Sequence, residues 1–221
     1  TTTVNSAAGF SISTYTGNAS TATVRHGLTK APDLIMVKNR DVADGWRVYH
    51  SYNTAAPETD WLVLNTAGGT TDDTPLAWND TAPTSSVFTV GTNHSVNADD
   101  ENYVAYCWHS VDGFSKFGSY VGNASTDGTF VYCGFRPELV IVKLTSGSDS
   151  WYMHDIEREP VNPSDTILMA DAAVDEETSA GKSIDILSNG FKARGADSAV
   201  NNGNYVFMAW AEIPFKYANA R

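Results

Sequence analysis

The chain has 221 residues, a formal net charge of −12 and a pI of about 4.6. Such a field repels phosphate backbones, which argues against nucleic-acid partners and against adhesion to anionic membrane by charge alone. Hydrophobic residues make up 42%, enough for a core, and charged residues only 18%, while Thr, Ser, Asn and Gly abound: a composition of strands and turns.

The first strand-like stretch runs into "YTGNAST" (Tyr15–Thr21). "APDLIMVK" (Ala31–Lys38) holds a continuous apolar run, as in a strand covered on both faces, entered after Pro32, where a missing N–H costs least. "WRVYHS" from Trp46 and "WLVL" (Trp61–Leu64) follow, then a long connection from Thr66 to Ser86. "NYVAYCWHS" from Asn102 alternates, with Val104, Tyr106 and Trp108 on one face. Asp112-Gly113 between two apolar runs reads as a hairpin turn, which predicts that the strand before it pairs with the strand after it.

From there the chain repeats itself. "YVGNAST" (Tyr120–Thr126) matches the opening motif at six of seven positions, 105 residues on. "RPELVIVK" (Arg136–Lys143) answers "APDLIMVK", "WYMHDI" from Trp151 answers "WRVYHS", and "TILM" (Thr166–Met169) falls opposite "WLVL". Asn189-Gly190 marks a hairpin, and "NYVFMAW" (Asn204–Trp210) answers "NYVAYCW". The exits match as well: "GFSKF" (Gly113–Phe117), just past the first half, resembles "PFKY" (Pro214–Tyr217) near the end of the second. An ordered set of matches is the mark of internal duplication. The expectation is an all-β protein of two tandem, tightly fused, jelly-roll-like β-sandwich repeats, residues 1–112 and 113–221, of roughly seven strands each. Gly17 and Gly122, each followed by Asn, read as tight-turn residues at matching strand exits.

Function is sought where the copies disagree. The connection Thr66–Ser86 is far longer than its counterpart "DAAVDEETSAGKS", and carries Trp78 beside Asn79 and Asp80. A ring face with an adjacent amide and carboxylate suits a sugar; the competing reading is that Trp78 anchors its own loop. Trp46 and His50 complete the candidate ligand-binding set, although a Trp at the same place in both halves (Trp46, Trp151) favours a core role. His50 and His154 read as surface hydrogen bonders at strand ends.

The sequence carries few signatures of chemistry. The five histidines show no zinc spacing, and no phosphate loop, dinucleotide fingerprint or G-x-S-x-G motif occurs. Glu58, Asp60 and Asp80 are candidates for the two carboxylates of a glycosidase, but 26 acids make some such choice inevitable. The expectation is no enzyme, no catalytic residue and no cofactor. The acidic clusters Asp72-Asp73, Asp99-Asp100-Glu101 and Asp175-Glu176-Glu177 suit a structural Ca²⁺ or, equally, solvated loops. Cys107 and Cys133 are too few for a disulfide framework; two buried thiols is the first reading, one disulfide the second. There is no apolar run of membrane-spanning length, so no membrane insertion is expected. Four N-x-[ST] sequons (Asn18, Asn79, Asn93, Asn123) are what chance supplies in this composition. The abrupt "TTTVNSAAGF" reads as the start of an excised piece.

Taken together, "GFSISTYTGNAS", "APDLIMVKNR", "WRVYH", "AWNDTAPTSSVFTVG", "YVAYCW", "GFSKFGSYVGN", "GFRPELVIVK" and the terminal "FKYANAR" resemble a repeat domain of unknown function. That domain occurs in tail-fibre-like and other virion proteins of tailed phages, especially marine and cyanobacterial ones. The resemblance covers about Gly9 to Arg221. It implies a virion-surface location, other virion proteins as partners, host-surface glycans as a ligand class, and a homo-oligomer or symmetric array. A tail-fibre or appendage attachment module is the first expectation. A purely structural decoration protein is the alternative, and a polysaccharide depolymerase comes third. The family supplies no catalytic residues to carry over.

Overall fold

The computed structural model describes residues 1–72 and 76–213. Strands hold 42% of the chain and helix 5%, so the fold is all-β, built from antiparallel sheets. Two compact units appear: Thr1–Asn65 with Thr70–Ser110, and Thr66–Gly69 with Val111–Arg221. The terminal "PFKY" and "FKYANAR" segments, and Asp73 of the first acidic cluster, lie outside the described residues.

Unit 1 contains β1 (Thr2–Asn5), β2 (Phe10–Thr16), β3 (Ala22–Arg25), β4 (Leu34–Asn39), β5 (Arg47–His50), β6 (Asp60–Val63), β7 (Thr71–Asp72), β8 (Val87–Val90), the short helix α1 (His94–Asn97) and β9 (Asn102–Trp108). Its large sheet runs β1-β2-β9-β4-β5-β6-β7, and β3 pairs with β8 in a two-stranded sheet. Val24, Phe88 and Val90 of the small sheet share one core cluster with Ile35, Val37, Tyr49, Tyr103 and Ala105 of the large one. Each such side chain withdrawn from water contributes about 1.5–3 kcal/mol, which makes the layering sandwich-like. The run "LIMV" is buried on both faces, as its unbroken hydrophobicity predicts.

Unit 2 contains β10 (Ser115–Val121), β11 (Phe130–Tyr132), β12 (Pro137–Leu144), β13 (Trp151–Asp155), β14 (Thr166–Met169), β15 (Glu177–Thr178), β16 (Ile184–Leu187), β17 (Gly190–Ala193) and β18 (Asn204–Ala211). The large sheet runs β10-β18-β12-β13-β14-β15, and β11-β17-β16 form a small one. Val131, Ile184, Ile186 and Phe191 of the small sheet meet Val140, Val142, Tyr205 and Phe207 of the large. Ser188 and Asn189 form the β16–β17 hairpin loop, with Leu187 opposite Gly190.

Several expectations need correction. Each half has nine strands among the described residues rather than about seven; two-residue strands such as β7 and β15 leave no periodicity to read. The strand before Asp112-Gly113 does not pair with the strand after it. Both edges of β9 are taken by β2 and β4, and β10 pairs with β18. The turn is real but smaller: Val111 bridges to Ser115, and Gly113 adopts the left-handed φ of 71°. On β9 it is Tyr103, Ala105 and Cys107 that enter the core, while Val104, Tyr106 and Trp108 occupy the half-exposed face. Both cysteines are free and buried, and burial pushes each thiol up to about 12.

The repeated heptapeptide has a specific use. In unit 1 the buried amide of Asn97 donates to Asn18 Oδ1 (3.3 Å), Ser20 O (2.7 Å) and Gly91 O (2.7 Å), and accepts from the Asn18 N–H (3.0 Å). Tyr15 stacks on Tyr103 with centroids 5.2 Å apart, and its hydroxyl donates to Val96 O. In unit 2 Asn201 donates to Asn123 Oδ1 (2.9 Å) and Ser125 O (2.6 Å), and accepts from the Asn123 N–H (3.1 Å). Tyr120 stacks on Tyr205 at 4.8 Å and donates to Val200 O. The glycines are not the turn formers: Ala19 (φ 50°) and Ala124 (φ 54°) take the left-handed conformation. Gly17 and Gly122 serve close approach, since a Cβ would stand 2.0 Å from Ala98 O and 2.2 Å from Asn201 O.

Truncating either clamp orphans several buried polar groups. Asn97→Ala and Asn201→Ala should each cost about 2–3 kcal/mol. Urea titration with a probe in each unit checks this, and a loss within error of zero would contradict it.

Candidate functional site

The five candidate residues do not assemble into one site. Trp78 is buried, with 3% of its surface exposed. Its indole N–H donates to Asp60 O at 2.9 Å, and its ring meets Tyr49 edge-on at 6.0 Å. Gly91 N–H and Asn93 N–H pin the flanking carbonyls of Ala77 and Leu76. The ring therefore anchors its own loop and offers no face to a sugar. Asn79 (φ 53°) and Asp80 (φ 47°) turn the chain outward; Asn79 Oδ1 accepts from Thr21 Oγ1 at 2.9 Å, and Asp80 is exposed.

His50 is also buried, contrary to its reading as a surface group. Its Nδ1 accepts from the Tyr52 N–H at 3.2 Å, and the ring lies edge-on to Tyr52. Trp46 is half-buried and stacks on Tyr106 at 6.1 Å and 25°. By strand alternation Trp46 and His50 share one face of β5 and its flank, while Tyr49, with Trp78 against it, is on the other. Trp46 lines an open depression with Lys38, Ala43, Asp44, Gly45 and Asn65. Burial raises the Asp44 carboxyl, but the Gly45 N–H bond, the nearby Ser95 hydroxyl and the neighbouring His94 and Arg47 side chains outweigh it and hold it below its usual value.

A better candidate stands on the small sheet of unit 2. On β11 the side chain of Val131 enters the core, so Phe130 and Tyr132 point away from it. Tyr132 is 65% exposed and Phe130 44%, with Val121 (66%) nearby through the bond from Thr129 Oγ1 to Val121 O. Side chains two apart on a strand are separated by about 7 Å on one face. Register puts Lys192 and then Asp185 beside Phe130, and Gly190 beside Tyr132. Gly190 allows β11 to come close, since a Cβ there would stand 2.0 Å from Val131 O. The ring of Tyr132 leans on Gly134, whose own φ of 86° is left-handed.

Charged groups rim the two rings. Lys192 Nζ donates to Asp127 Oδ1 at 2.6 Å, and that bond, with the lysine's charge, holds the Asp127 carboxyl below its usual range. Arg194 Nε lies 3.4 Å from Asp185 Oδ2. Two exposed rings on a hydrogen-bonded sheet, flanked by acceptors and donors, can stack on the apolar face of a pyranose and bind its hydroxyls. Sequence reading passed over this pair. Its signal was present: the matching positions of β3 are Thr23 and Arg25, polar where β11 is aromatic.

Among the described residues, no group of three or more His, Cys, Asp and Glu is placed to hold a metal ion. His154 is fully enclosed; its Nδ1 lies 3.5 Å from Ser164 Oγ, and Nε2 has no hydrogen-bond partner among the described residues. Burial pushes this imidazole down to about 4.

A family model described as "Domain of unknown function (DUF7483)" matches residues 1–214. No curated protein and no solved structure matches the chain.

Two outcomes follow from this geometry. Trp78→Ala removes a packed core ring and should destabilise unit 1 by about 3–5 kcal/mol, measured by urea unfolding. For His154, the folded value lies below the unfolded one, so the unfolded chain takes the proton first. Stability is full above about pH 6.5 and falls by about 3 kcal/mol as pH drops toward 4. Exposed carboxylates titrate mostly below this window, so a urea midpoint that is flat from pH 6.5 to 4.5 would refute the assignment.

Proposed function

The chain belongs to the DUF7483 family, and we propose that it is a non-enzymatic attachment module of a phage virion that holds host-surface glycans on the outer face of β16-β17-β11. The observation that carries this reading is the pair Phe130 and Tyr132, exposed together on a rigid strand. A large aromatic left in water is costly unless it is used, and two on one face with a charged rim form a binding platform. The virion location rests on the resemblance of the repeated motifs to tail-fibre-like proteins.

We read the two units as copies of one ancestral sandwich repeat. The support is threefold: the ordered sequence matches, the parallel strand orders of the large sheets, and the Asn97 and Asn201 clamps with their stacked tyrosines. On this reading the shared residues serve the fold, and the aromatic pair, present in one copy alone, serves the ligand.

A decoration role is the second reading, and one observation favours it. β1 is an edge strand with all four residues exposed, bonded in the sheet to β2 alone. A free edge of this kind can accept a strand from a neighbour.

The test is binding of the intact chain to host surface polysaccharide by calorimetry, with Phe130→Ala and Tyr132→Ala as variants. Neither side chain supports the core, so circular dichroism should be unchanged. Each truncation should weaken binding about tenfold, equivalent to about 1.4 kcal/mol. Binding unaffected by both changes would sink the glycan reading, and release of reducing ends would sink the non-enzymatic one.

A further inference from the structure

The two units carry the same lysine pocket, filled in one and open in the other. In unit 2 the N–H of Trp151 is held by Asp171 Oδ1 (2.9 Å), Ser150 N–H by Asp149 Oδ1 (2.9 Å), and Trp151 O by Ala170 N–H (3.0 Å). In unit 1 the N–H of Trp46 is held by Asn65 Oδ1 (2.9 Å), Gly45 N–H by Asp44 Oδ1 (2.6 Å), and Trp46 O by Leu64 N–H (3.1 Å). Beneath each frame lies a lysine. Lys143 Nζ donates to Leu144 O, Asp149 O and Ala67 O at 2.9, 2.8 and 3.1 Å. Lys38 Nζ donates to Asn39 O at 2.8 Å and Val42 O at 3.4 Å.

The difference is one carbonyl. Ala67 O, from the Thr66–Gly69 segment of unit 2, accepts from Lys143 Nζ and also from the Asp149 N–H at 2.8 Å. In unit 1 the corresponding Asp44 N–H has no partner among the described residues, and Lys38 has two acceptors for three N–H donors. The depression lined by Lys38, Ala43, Asp44, Gly45, Trp46 and Asn65 occupies the place that Ala67 fills in unit 2.

Chain order identifies what fits there. Thr66–Gly69 directly follows Asn65, the residue that caps Trp46. The segment that follows Asp171, which caps Trp151, is Ala172–Asp175, and Ala173 in it corresponds to Ala67. Ala173, Val174 and Asp175 are exposed, Val174 by 58%, and Ala173 makes no hydrogen bond among the described residues. The sites are not interchangeable. A Cβ at Gly69 would stand 2.5 Å from Gly147 O and 2.9 Å from Thr145 O, so the filled site demands glycine. In the open site the exposed Arg40 holds the register position of Thr145, facing Asp175 of the incoming segment.

We propose that Ala172–Asp175 of one copy docks in the Lys38 depression of a second copy, its Ala173 carbonyl bridging Lys38 Nζ and the Asp44 N–H. The contact is heterologous, donor segment to acceptor pocket, so it propagates head to tail rather than closing as a two-fold dimer. It buries little area and is weak in a single pair, gaining strength in an array. The proposal rests on reading the two units as copies; it does not depend on glycan binding, and loss of ligand in the Tyr132 variant leaves it intact.

The experiment is sedimentation of the full chain from micromolar to millimolar concentration. The wild type should grow past dimer. Lys38→Met (dead acceptor) and Ala173→Asp (dead donor, facing Asp44) should each lower the association constant at least tenfold. Mixed in equal amounts, the two variants should form dimers and stop there, since one competent contact survives. A monomeric wild type, variants that associate like wild type, or a mixture that stays monomeric would each overturn the proposal. Should Lys38→Met fail to fold, Ala43→Cys and Val174→Cys copies provide the check, because the native thiols are buried. A mixed disulfide should form faster than either self-disulfide, and equal rates would refute the contact.

Discussion

The fold depends on a buried amide. Asn97 and Asn201 each sit at or below 1% exposure, where an unsatisfied donor or acceptor is expensive. Each is satisfied by a loop that leaves the second or first strand of its unit's large sheet, so loop and amide must be kept together. Both "YTGNAST" and "YVGNAST" supply that loop, through Asn18 and Asn123. Asn97 also reaches Gly91 O, just past β8, tying the small sheet of unit 1 to the same point. The glycine in the motif follows from the same requirement, since the loop can approach Ala98 O or Asn201 O only without a side chain. Serine or alanine at that position would push the loop off its amide.

Legibility in the sequence followed locality. Alternation and unbroken apolar runs are set by residues a few positions apart, so β4, β12, β16 and β17 could be placed directly. The pairing of β9 could not. Its competing signal, Asp112-Gly113, is local and strong, but β2 and β4 occupy both edges of β9 through seven and six paired positions. Long-range pairing overrode a local turn signal. Trp78 failed for the same reason: an aromatic beside Asn and Asp looks alike on a surface and in a loop anchor. What decides it is Asp60 O, 18 residues away in sequence, and the ring of Tyr49. His50 and His154 read as surface groups because polarity is visible in a sequence and cover is not.

Compared position by position, the halves differ at outward-facing residues as well as in loop length. The long connection in the first half is taken up with structure: it holds Trp78 and Ala77 in the core and gives Thr66–Gly69 to unit 2. β3 and β11 are both short strands that bury one valine, Val24 or Val131, between two outward residues. That difference, Thr23 and Arg25 against Phe130 and Tyr132, lies on the outward side and costs the core nothing.

Lys143 and Lys38 lie beneath frames with matching hydrogen bonds but different cover. The Nζ of Lys143 is fully covered, and burial lowers it to about 8 against the opposing pull of Asp171 and Asp149. A buried ammonium survives at neutral pH only if its donors are used, and three carbonyls use all three. Remove Ala67 and one donor is stranded in an enclosed site. Lys38 meets the same frame half-exposed, where water can supply the missing acceptor at little cost. The filled site is therefore obligatory and the open one conditional.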